Sequence, residues 1–486
     1  MIDPEYLKTL RNEPWREALR QRMKNRERTA IPRVKMPELD AGIRSHNYGE
    51  VNRGLSPEQA LRESQRCLDC PDPQCIAGCP VEVNIPKFIK NIERNDFPEA
   101  ARTLKETSAL PAVCGRVCPQ EKQCESRCIY TRMGKEAVAI GYMERFAADF
   151  ERESGPVSVP GRAASNGTKI AVIGSGPAGL SFAGDMAKYG YDVCVFEALH
   201  EIGGVLKYGI PEFRLPNEIV DVEIAGLQQM GVTFVTNCIV GKTLSCEDLH
   251  REGFKGIFIA SGAGLPNFMN IPGENLSGVL SSNEYLTRVN LMGAYKREAD
   301  TPVFPGKKVA VIGGGNTAMD SVRTARRLGA EQAMIVYRRS EKEMPARVEE
   351  IKHAREEGIL FMNLYNPVEY IGDETGRVKQ MVLQKMELGA PDASGRRSPV
   401  AIAGQTETVD VDLVVVSVGV SPNPLVPRAF AGLDISRWGT IVIDPDTLQT
   451  ALPGVYAGGD IVRGGATVIL AMGDGRKAAA AMRKQL

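Results

Sequence analysis

The chain has 486 residues, too many for a single hydrophobic core, and this length predicts roughly two to four domains. Hydrophobic residues make up 43% and charged residues 25%, which is typical of folded globular proteins and excludes a largely disordered chain. The 60 Lys and Arg residues balance the 60 Asp and Glu residues, so there is no electrostatic reason to expect nucleic acid or an anionic membrane as a partner.

Nothing in the sequence indicates a membrane segment or a secretion signal. The longest apolar runs, such as VVVSVGV at 414–420, are far too short to span a bilayer. The start, MIDPEYLKTLRNEPW, lacks the apolar core of a signal peptide. We therefore expect a cytoplasmic protein.

Residues 1–55 are polar and charged, and we expect them to form an N-terminal arm. The stretch EYLKTLRNEPWREALRQRMKN has helical character, and Pro32 and Pro37 mark a linker-like segment after it. The pattern predicts an arm that packs on the body of the protein or on a partner.

Residues 56–153 combine helical patterns with eight of the eleven cysteines, which predicts a small α-helical iron–sulfur domain. Ser56 suits the N-cap of a helix, and Pro57 suits its first turn. The stretch NIPKFIKNIERNDFPEAARTLKET continues with a helical period, and no strand-like alternation stands out.

The eight cysteines fall in two runs with short spacings. In a reducing compartment, clustered cysteines indicate metal or cluster ligands rather than disulfides. Bacterial ferredoxins have similar spacing, in which three close cysteines serve one cluster and the fourth, followed by Pro, serves the other. We expect two [4Fe–4S] clusters, with structural zinc or simple packing as the alternatives. The runs are Cys67-x2-Cys70-x4-Cys75-x3-Cys79-Pro80 and Cys114-x3-Cys118-Pro119-x4-Cys124-x3-Cys128.

Residues 155–168 are rich in Gly, Pro and Ser, which indicates a linker and a domain boundary. After this linker the sequence alternates between strand and helix patterns. The order strand, Gly-rich turn, helix, strand occurs twice, beginning at Lys169 and again at Lys308. This is an internal repeat of a nucleotide-binding unit and predicts an α/β fold.

The first glycine loop, Gly174-Ser-Gly176-Pro-Ala-Gly179, joins an apolar strand to a helix. Its glycines permit a tight turn, close approach of a pyrophosphate, and close packing of helix on strand. The helix N-terminus presents N–H groups to the phosphates. The next strand ends in Glu197, whose carboxylate can accept hydrogen bonds from ribose hydroxyls.

The second glycine loop, Gly313-Gly-Gly315-Asn-Thr-Ala318, has the accepted Ala variant at its last position. The strand after it ends in Arg338 and Arg339 instead of an acid. Guanidinium groups bind a ribose 2′-phosphate, so this unit favours NADP over NAD. An ordinary solvated strand end is the alternative.

Two dinucleotide units predict two cofactors, FAD at the loop followed by an acid and NADPH at the loop followed by arginines. The C-terminal sequence supports a flavin, because Gly459 and Asp460 follow a strand and a helix begins near Ala466, Thr467 and Val468. An Asp at a strand end can hold ribityl hydroxyls, and a helix N-terminus can face the reduced flavin ring. A buried Gly-rich turn without a ligand is the alternative.

These motifs together resemble the glutamate synthase small-subunit family across nearly the whole chain. The chain is also similar to the large subunit of NADH-dependent ferredoxin:NADP oxidoreductase and to the N-terminal half of dihydropyrimidine dehydrogenase. The resemblance rests on both cysteine runs and on the segments GSGPAG at 174–179, GGVLKYGIPEFRLP at 203–216, GGGNTAMD at 313–320, YRRSEKEMP at 337–345, VGVSPNP at 418–424 and AGGDIVRGGATV at 457–468.

The resemblance implies a division of the ligands between the two clusters. One cluster would be held by Cys67, Cys70, Cys75 and Cys128. The other would be held by Cys79, Cys118, Cys124 and the non-cysteine ligand Glu144, with Cys114 as a spare. By itself, the sequence around Glu144 indicates only an acid on a helix surface.

The resemblance also implies further cofactor contacts and a domain order. Gly203, Gly204, Tyr208 and Arg214 would lie near the flavin, and Asn316 and Thr317 near the NADPH phosphates. The FAD-binding domain would comprise 169–284 and 409–486, with the NADPH-binding domain, 285–408, inserted into it. Both would be doubly wound folds of the disulfide-reductase kind.

The function implied is hydride transfer from NADPH to FAD, followed by single-electron transfer through the clusters to a larger redox subunit. Hydride transfer between stacked rings needs no protein base, so we name no acid–base residue. The leading expectation is the small subunit of glutamate synthase, whose large subunit would reduce 2-iminoglutarate. The close alternative is a subunit of an NADP:ferredoxin-type, possibly electron-bifurcating, enzyme with a ferredoxin-linked flavoprotein as partner. A zinc-binding interaction module without redox activity is the alternative from another class.

Overall fold

The structure, a computed structural model, describes residues 4–393 and 395–486. Its first part contains helices and short turns, and no strand occurs in the described residues from 56 to 154. The helices are α1 (Pro4–Arg11), α2 (Pro14–Arg22), α3 (Asn25–Arg28), α4 (Ala41–Arg44), α5 (Pro57–Ser64), α6 (Gln74–Ala77), α7 (Ile85–Glu93), α8 (Phe97–Lys105), α9 (Pro111–Val117), α10 (Ile129–Arg132) and α11 (Ile140–Ser154).

Local sequence explains why α5 begins where it does. Its N-cap is Ser56, whose hydroxyl accepts the N–H of Gln59 while the Gln59 side chain accepts the N–H of Ser56. Pro57 occupies the first turn, where its missing N–H costs nothing. The sequence-based expectation for this helix start is confirmed.

The arm packs on the helical domain of its own chain. Asp69, which lies between two cysteines and is fully buried, pairs with Arg16 and with Arg20 (2.6 Å) from α2. Arg28 from α3 pairs with the buried Glu93 (2.8 Å). Asp69 is compensated by arm residues, and Glu93 by Arg28 together with Lys90 of α7, so the arm belongs to the folded unit.

The first nucleotide-binding unit contains a parallel sheet with the strand order β15-β4-β1-β2-β3. Its central strands are apolar because helices cover both faces of a parallel sheet. The elements are β1 (Lys169–Ile173), α12 (Pro177–Lys188), β2 (Asp192–Phe196), α13 (Val205–Tyr208), α14 (Asn217–Gln229), β3 (Thr233–Val235), α15 (Cys246–Arg251) and β4 (Phe254–Ile259), followed by β5 (Leu265–Pro266).

The second unit contains a similar parallel sheet with the order β6-β13-β7-β8-β9. The repeat of strand, glycine turn, helix and strand is therefore confirmed as two doubly wound units. The elements are β6 (Val279–Ser281), α16 (Ser282–Leu286), β7 (Lys308–Ile312), α17 (Asn316–Arg327), β8 (Gln332–Tyr337), α18 (Val348–Glu356), β9 (Leu360–Asn363), β10 (Tyr365–Gly372), β11 (Val378–Pro391), β12 (Arg397–Asp410) and β13 (Leu413–Val416).

The chain then returns to the first unit through β14 (Val420–Ser421), α19 (Leu425–Ala429), β15 (Val455–Ala457), α20 (Asp460–Arg463) and α21 (Val468–Gln485). The two crossings between the units, β5 and β14, pair with each other as an antiparallel ribbon. The expected boundaries grouped β6 and β13 with the FAD-binding domain. Both strands instead pair with neighbours in the second sheet.

A third sheet, which the sequence analysis did not anticipate, forms an antiparallel hairpin layer of β10, β11 and β12. Its buried side chains, including Met381 and Leu383, pack with Ala310, Met334 and Val414 of the second sheet. The layer thus covers one face of that sheet in place of a helix.

Ion pairs attach the second unit to the rest of the molecule. Arg214 of the first unit pairs with Asp320 of α17 (2.6 Å), and both are buried. Arg44 of the arm pairs with Glu357 just after α18 (3.2 Å). The two nucleotide-binding units and the arm therefore share buried charge contacts.

A helix must be both long and apolar to span a membrane. Among the helices of the described residues, none combines the length and the apolar composition that a bilayer span requires.

Candidate functional site

A single cavity of about 1770 Å³ runs between the two nucleotide-binding units. This exceeds the roughly 300–1,000 Å³ of an ordinary small-ligand pocket, as a site for two dinucleotides must. Gly179 and Gly203 are not among its lining residues, but the other predicted cofactor-binding residues are: Gly174, Gly176, Glu197, Gly204, Tyr208, Arg214, Gly313, Gly315, Asn316, Thr317, Arg338, Arg339, Gly459, Asp460, Ala466, Thr467 and Val468.

Gly179 has the packing role expected of the third glycine. A Cβ on this residue would lie 2.1 Å from the carbonyl oxygen of Gly174, so only glycine lets α12 approach the loop this closely. Gly174 itself has φ +103 and lies against the carbonyl of Ala260. The loop therefore leaves the N-terminus of α12 open to the cavity, where it can bind a phosphate.

Glu197 lies at the end of β2 and is buried. Its carboxylate accepts the N–H of Ser175 (2.9 Å), the hydroxyl of Ser175 (2.6 Å) and the N–H of Leu199 (2.9 Å). The Ser175 hydroxyl also accepts the N–H of Gly203 (3.0 Å). Sequence reasoning found Glu197 but missed Ser175, which links the acid to both glycine segments.

Two further titratable groups, Asp460 and Tyr208, line the cavity. Burial raises the pKa of Asp460 to about 6, against a hydrogen bond from the N–H of Ala466 (3.2 Å) that favours the charged form. Burial, followed by Asp460 and Glu197, raises the pKa of Tyr208 to about 12. This half-buried carboxyl, which accepts one backbone hydrogen bond, has capacity left to accept from hydroxyl groups such as those of a ribityl chain.

The structure separates the two arginines that end β8. Arg339 is buried and is already engaged, since it donates to the carbonyl of Arg397 (2.8 Å) and to Asp392 (2.9 Å). Arg338 is exposed and has no hydrogen bond or ion pair within residues 4–393 and 395–486. Of the two, Arg338 is the guanidinium free to bind an added phosphate.

Two other predicted contacts are also partly engaged. Asn316 begins α17, and its side-chain carbonyl accepts the N–H of Arg347 (2.9 Å). Arg214 lines the cavity while its guanidinium pairs with Asp320, so it lies between the two units. Thr317 follows Asn316 in the first turn of α17, which opens on the cavity.

The cysteines are free thiols throughout the described part of the chain. One group brings together Cys67, Cys70, Cys75 and Cys128. Burial raises the pKa of Cys75 far above its usual range, and the nearby thiols of Cys67, Cys128 and Cys70 raise it further. Burial likewise raises the pKa of Cys67 to about 12. Thiols in such a setting become stable thiolates only when a metal supplies the positive charge.

The second group brings Cys79, Cys118 and Cys124 together with Glu144. Burial raises the pKa of Cys124 far above its usual range, with contributions from Glu125, Cys79, Glu144 and Cys118. Burial also raises the pKa of Glu144 to about 8, with Glu223 adding to it. Glu144 is no surface acid, and it makes no hydrogen bond or ion pair with any residue the structure describes.

The distances between ligand atoms in each group indicate whether the group suits a single metal ion or an iron–sulfur cluster. Among the described residues, no three ligand atoms of either group lie within 4.8 Å of one another. A zinc ion holds its thiolates at about 2.3 Å and needs them closer together. The groups therefore fit the wider iron–sulfur cube better than a single zinc ion.

The second group also reaches the cavity. Val117 and Pro119, which flank Cys118, line the cavity wall. Sequence reasoning missed this contact, because residues far apart in the chain form it. The second thiol group thus lies next to the wall of the dinucleotide cavity.

Comparison with known proteins identifies the family. The family model described as pyridine nucleotide-disulphide oxidoreductase matches residues 168–475. The model described as dihydropyrimidine dehydrogenase domain II, 4Fe-4S cluster, matches residues 44–156. The glutamate synthase [NADPH] small chain of Azospirillum brasilense is 36% identical over 92% of this chain and 93% of its own length. The chain belongs to the glutamate synthase small-chain family.

Family membership makes the chain an NADPH-dependent flavin oxidoreductase with an iron–sulfur domain. Another family relative, the NADP(+)-dependent formate dehydrogenase subunit beta of Moorella thermoacetica, is 37% identical over 85% of this chain and 60% of its own length. Among solved structures, Mycobacterium tuberculosis FprA in complex with NADPH has a TM-score of 0.54 at 22% identity, covering 65% of this chain and 84% of FprA. That similarity confirms the fold of the nucleotide-binding units.

Proposed function

We propose that this chain is the NADPH-oxidising subunit of a glutamate synthase, delivering electrons through two [4Fe–4S] clusters to a larger subunit that reduces 2-iminoglutarate. The observation that carries the proposal is the end-to-end similarity to a glutamate synthase small chain, over 92% of this chain and 93% of the relative. The position of Val117 and Pro119, which flank Cys118 and line the cavity, supports it.

The first thiol group would hold one cluster through Cys67, Cys70, Cys75 and Cys128. The second group would hold the other through Cys79, Cys118, Cys124 and Glu144. Cys114 remains the spare, buried with its sulfur 3.4 Å from that of Met472. Iron would compensate the buried Glu144 carboxylate, which the protein leaves without a partner.

The two nucleotides would occupy opposite ends of the cavity. The loop at 174–179, Glu197, Gly204, Tyr208, Asp460 and the N-terminus of α21 would bind FAD. The loop at 313–318, Thr317 and Arg338 would bind NADPH. FAD supplies the conversion between a two-electron hydride and single electrons. The protein's part is to hold both rings in contact and to exclude water.

We also propose a domain organisation for this function. Residues 1–55 form the arm, and 56–153 form the iron–sulfur domain. Because β5 and β14 pair as the connection between the units, we place the NADPH-binding domain at about 267–419. The FAD-binding domain then comprises the two segments on either side of it, one that begins at residue 169 and one that ends at residue 486.

A second candidate is a subunit of an NADP-dependent enzyme with a different electron acceptor, such as a ferredoxin-linked flavoprotein. The observation in its favour is the 37% identity to the formate dehydrogenase subunit beta. The sequence CGRVCPQEKQC around Cys118 suits this branch at least as well.

Isolation of the native complex distinguishes the two. The chain would be purified anaerobically with its partners, and the partners identified by mass spectrometry. We expect a glutamine-using large subunit and NADPH-dependent glutamate formation from glutamine and 2-oxoglutarate. A second flavoprotein or a formate-oxidising subunit in its place would favour the alternative. Material that is colourless or contains zinc would contradict both.

A further inference from the structure

Helix α21 connects the cavity to the second thiol group within one turn. Ala471 lines the cavity, and the next two residues face the helical domain. The Met472 sulfur lies 3.4 Å from that of Cys114. Gly473 lies against Pro80, the residue that follows Cys79. A single turn of helix therefore separates the cavity from Pro80, the neighbour of the proposed cluster ligand Cys79.

Gly473 makes this contact as close as backbone atoms allow. A Cβ on Gly473 would lie 2.9 Å from the carbonyl oxygen of Pro80 and 3.2 Å from its Cβ. Such distances are too short, so any larger residue must push α21 and the Cys79–Pro80 segment apart. The obstacle is backbone and a proline ring, which cannot turn aside as a flexible side chain can.

The same helix is fixed on its other side. The hydroxyl of Ser181 in α12 donates to the carbonyl of Met472 (3.0 Å), and both residues are buried. A Cβ on Gly475 would lie 2.3 Å from the carbonyl of Ala178. α21 therefore cannot move further toward α12, which begins at the first glycine loop. A larger residue at position 473 has to increase the distance between α21 and the second thiol group.

We propose that Gly473 is a positioning residue that sets the distance between the flavin and the cluster held by Cys79, Cys118, Cys124 and Glu144. This proposal rests on the function proposed above. Bound FAD would take up the two electrons of the hydride that NADPH loses. Gly473 would hold α21 at the distance across which those electrons pass one at a time to the cluster and on to the partner's acceptor, with the proton released to solvent.

The test separates two successive rates in the anaerobic holoprotein. Gly473→Ala would be mixed rapidly with NADPH, flavin reduction followed by absorbance, and cluster reduction by freeze-quench EPR. Gly226→Ala is the matched control, because Gly226 is also a helical glycine but a Cβ there meets nothing within 4 Å. Flavin and iron content would normalise all rates.

We expect Gly473→Ala to reduce its flavin at the wild-type rate while cluster reduction slows severalfold. Gly473→Val should slow cluster reduction more than Gly473→Ala does, because its larger side chain pushes the helix farther from Pro80. Gly226→Ala should match wild type in both rates. Equal cluster reduction in wild type and Gly473→Ala would overturn the spacing role and leave the proposed function intact.

A second variant keeps the test decisive if Gly473→Ala does not retain its cofactors. Met472→Leu conserves volume and spacing but removes the sulfur next to Cys114. Under the spacing role its cluster reduction stays at the wild-type rate. A slowed Met472→Leu with full cofactor content would show that the sulfur contact, not the spacing, controls transfer. Wild-type protein that reduces its flavin but never its clusters would instead overturn the proposed function itself.

Discussion

The carboxylate of Glu197 accepts both the backbone N–H and the hydroxyl of Ser175, at 2.9 and 2.6 Å. The acid that ends β2 is thereby locked to the first glycine loop before any nucleotide binds. We expect Glu197→Ala to lose most of its bound FAD and to lower the free energy of unfolding by about 1–3 kcal/mol, because buried donors lose their acceptor.

Flavin content after desalting and urea unfolding of the flavin-free protein check this prediction. Glu247→Ala is a suitable control, because this acid lies in the first turn of α15 outside the cavity. Full flavin content in Glu197→Ala would contradict the proposed ribose contact.

Arg338 and Arg339 should differ in their effect on coenzyme choice. Arg338→Ala should lower the kcat/KM ratio of NADPH to NADH by roughly 10- to 100-fold, since a charged hydrogen bond to phosphate contributes about 1.5–3 kcal/mol. Arg339→Ala should change stability more than preference, because its guanidinium holds Asp392 and the carbonyl of Arg397.

Steady-state kinetics with both coenzymes measure the ratio. If Arg338→Ala keeps the wild-type preference and Arg339→Ala loses it, the phosphate contact has been placed on the wrong residue. Such a result would mean that the hairpin of β11 and β12 opens when NADPH binds.

Glu144 and Cys114 provide a paired test of the cluster proposed for the second thiol group. Glu144→Ala should perturb the EPR signal of one cluster and leave the other unchanged, because a ligand is lost from one group only. Cys114→Ser should retain the wild-type iron content and both signals. An unchanged spectrum in Glu144→Ala would remove this residue from the ligands, and loss of a cluster in Cys114→Ser would put Cys114 in its place.

Asp460 should make the stability of the flavin-free protein depend on pH. Its pKa is raised to about 6 in the folded state, so the folded protein keeps a proton that the unfolded chain releases near pH 4. The stability of wild type relative to Asp460→Asn should therefore fall as pH rises from about 4 to about 6 and stay level above that. Urea unfolding of both proteins across this range measures it, and a difference that rises with pH would contradict the burial of this carboxyl.

The repeated glycine loops made the two nucleotide-binding units predictable, because these glycines stand where a larger side chain would clash with neighbouring backbone. Gly179 illustrates this, because a Cβ at this position would clash with the carbonyl oxygen of Gly174 in the same loop. The start of α5 at Ser56 and Pro57 was equally local. Such features depend on neighbouring residues, which the sequence displays directly.

Features that depend on distant residues were not predictable in this way. The engagement of Arg339 by Asp392 depends on a hairpin more than fifty positions away along the chain. The pairing of β6 and β13 in the second sheet depends on strand order, which periodicity does not determine. The burial of Glu144 results from the packing of α11, whose sequence alone indicated an exposed acid.

The paired crossings β5 and β14 connect the second unit to the first through a narrow two-stranded ribbon. Such a ribbon alone would act as a hinge and let the unit swing. The buried pair Arg214–Asp320 opposes that motion, since leaving such a charge unpaired costs about 3–5 kcal/mol. NADPH therefore enters the cavity from its open side, and its departure does not require a large movement of one nucleotide-binding unit relative to the other.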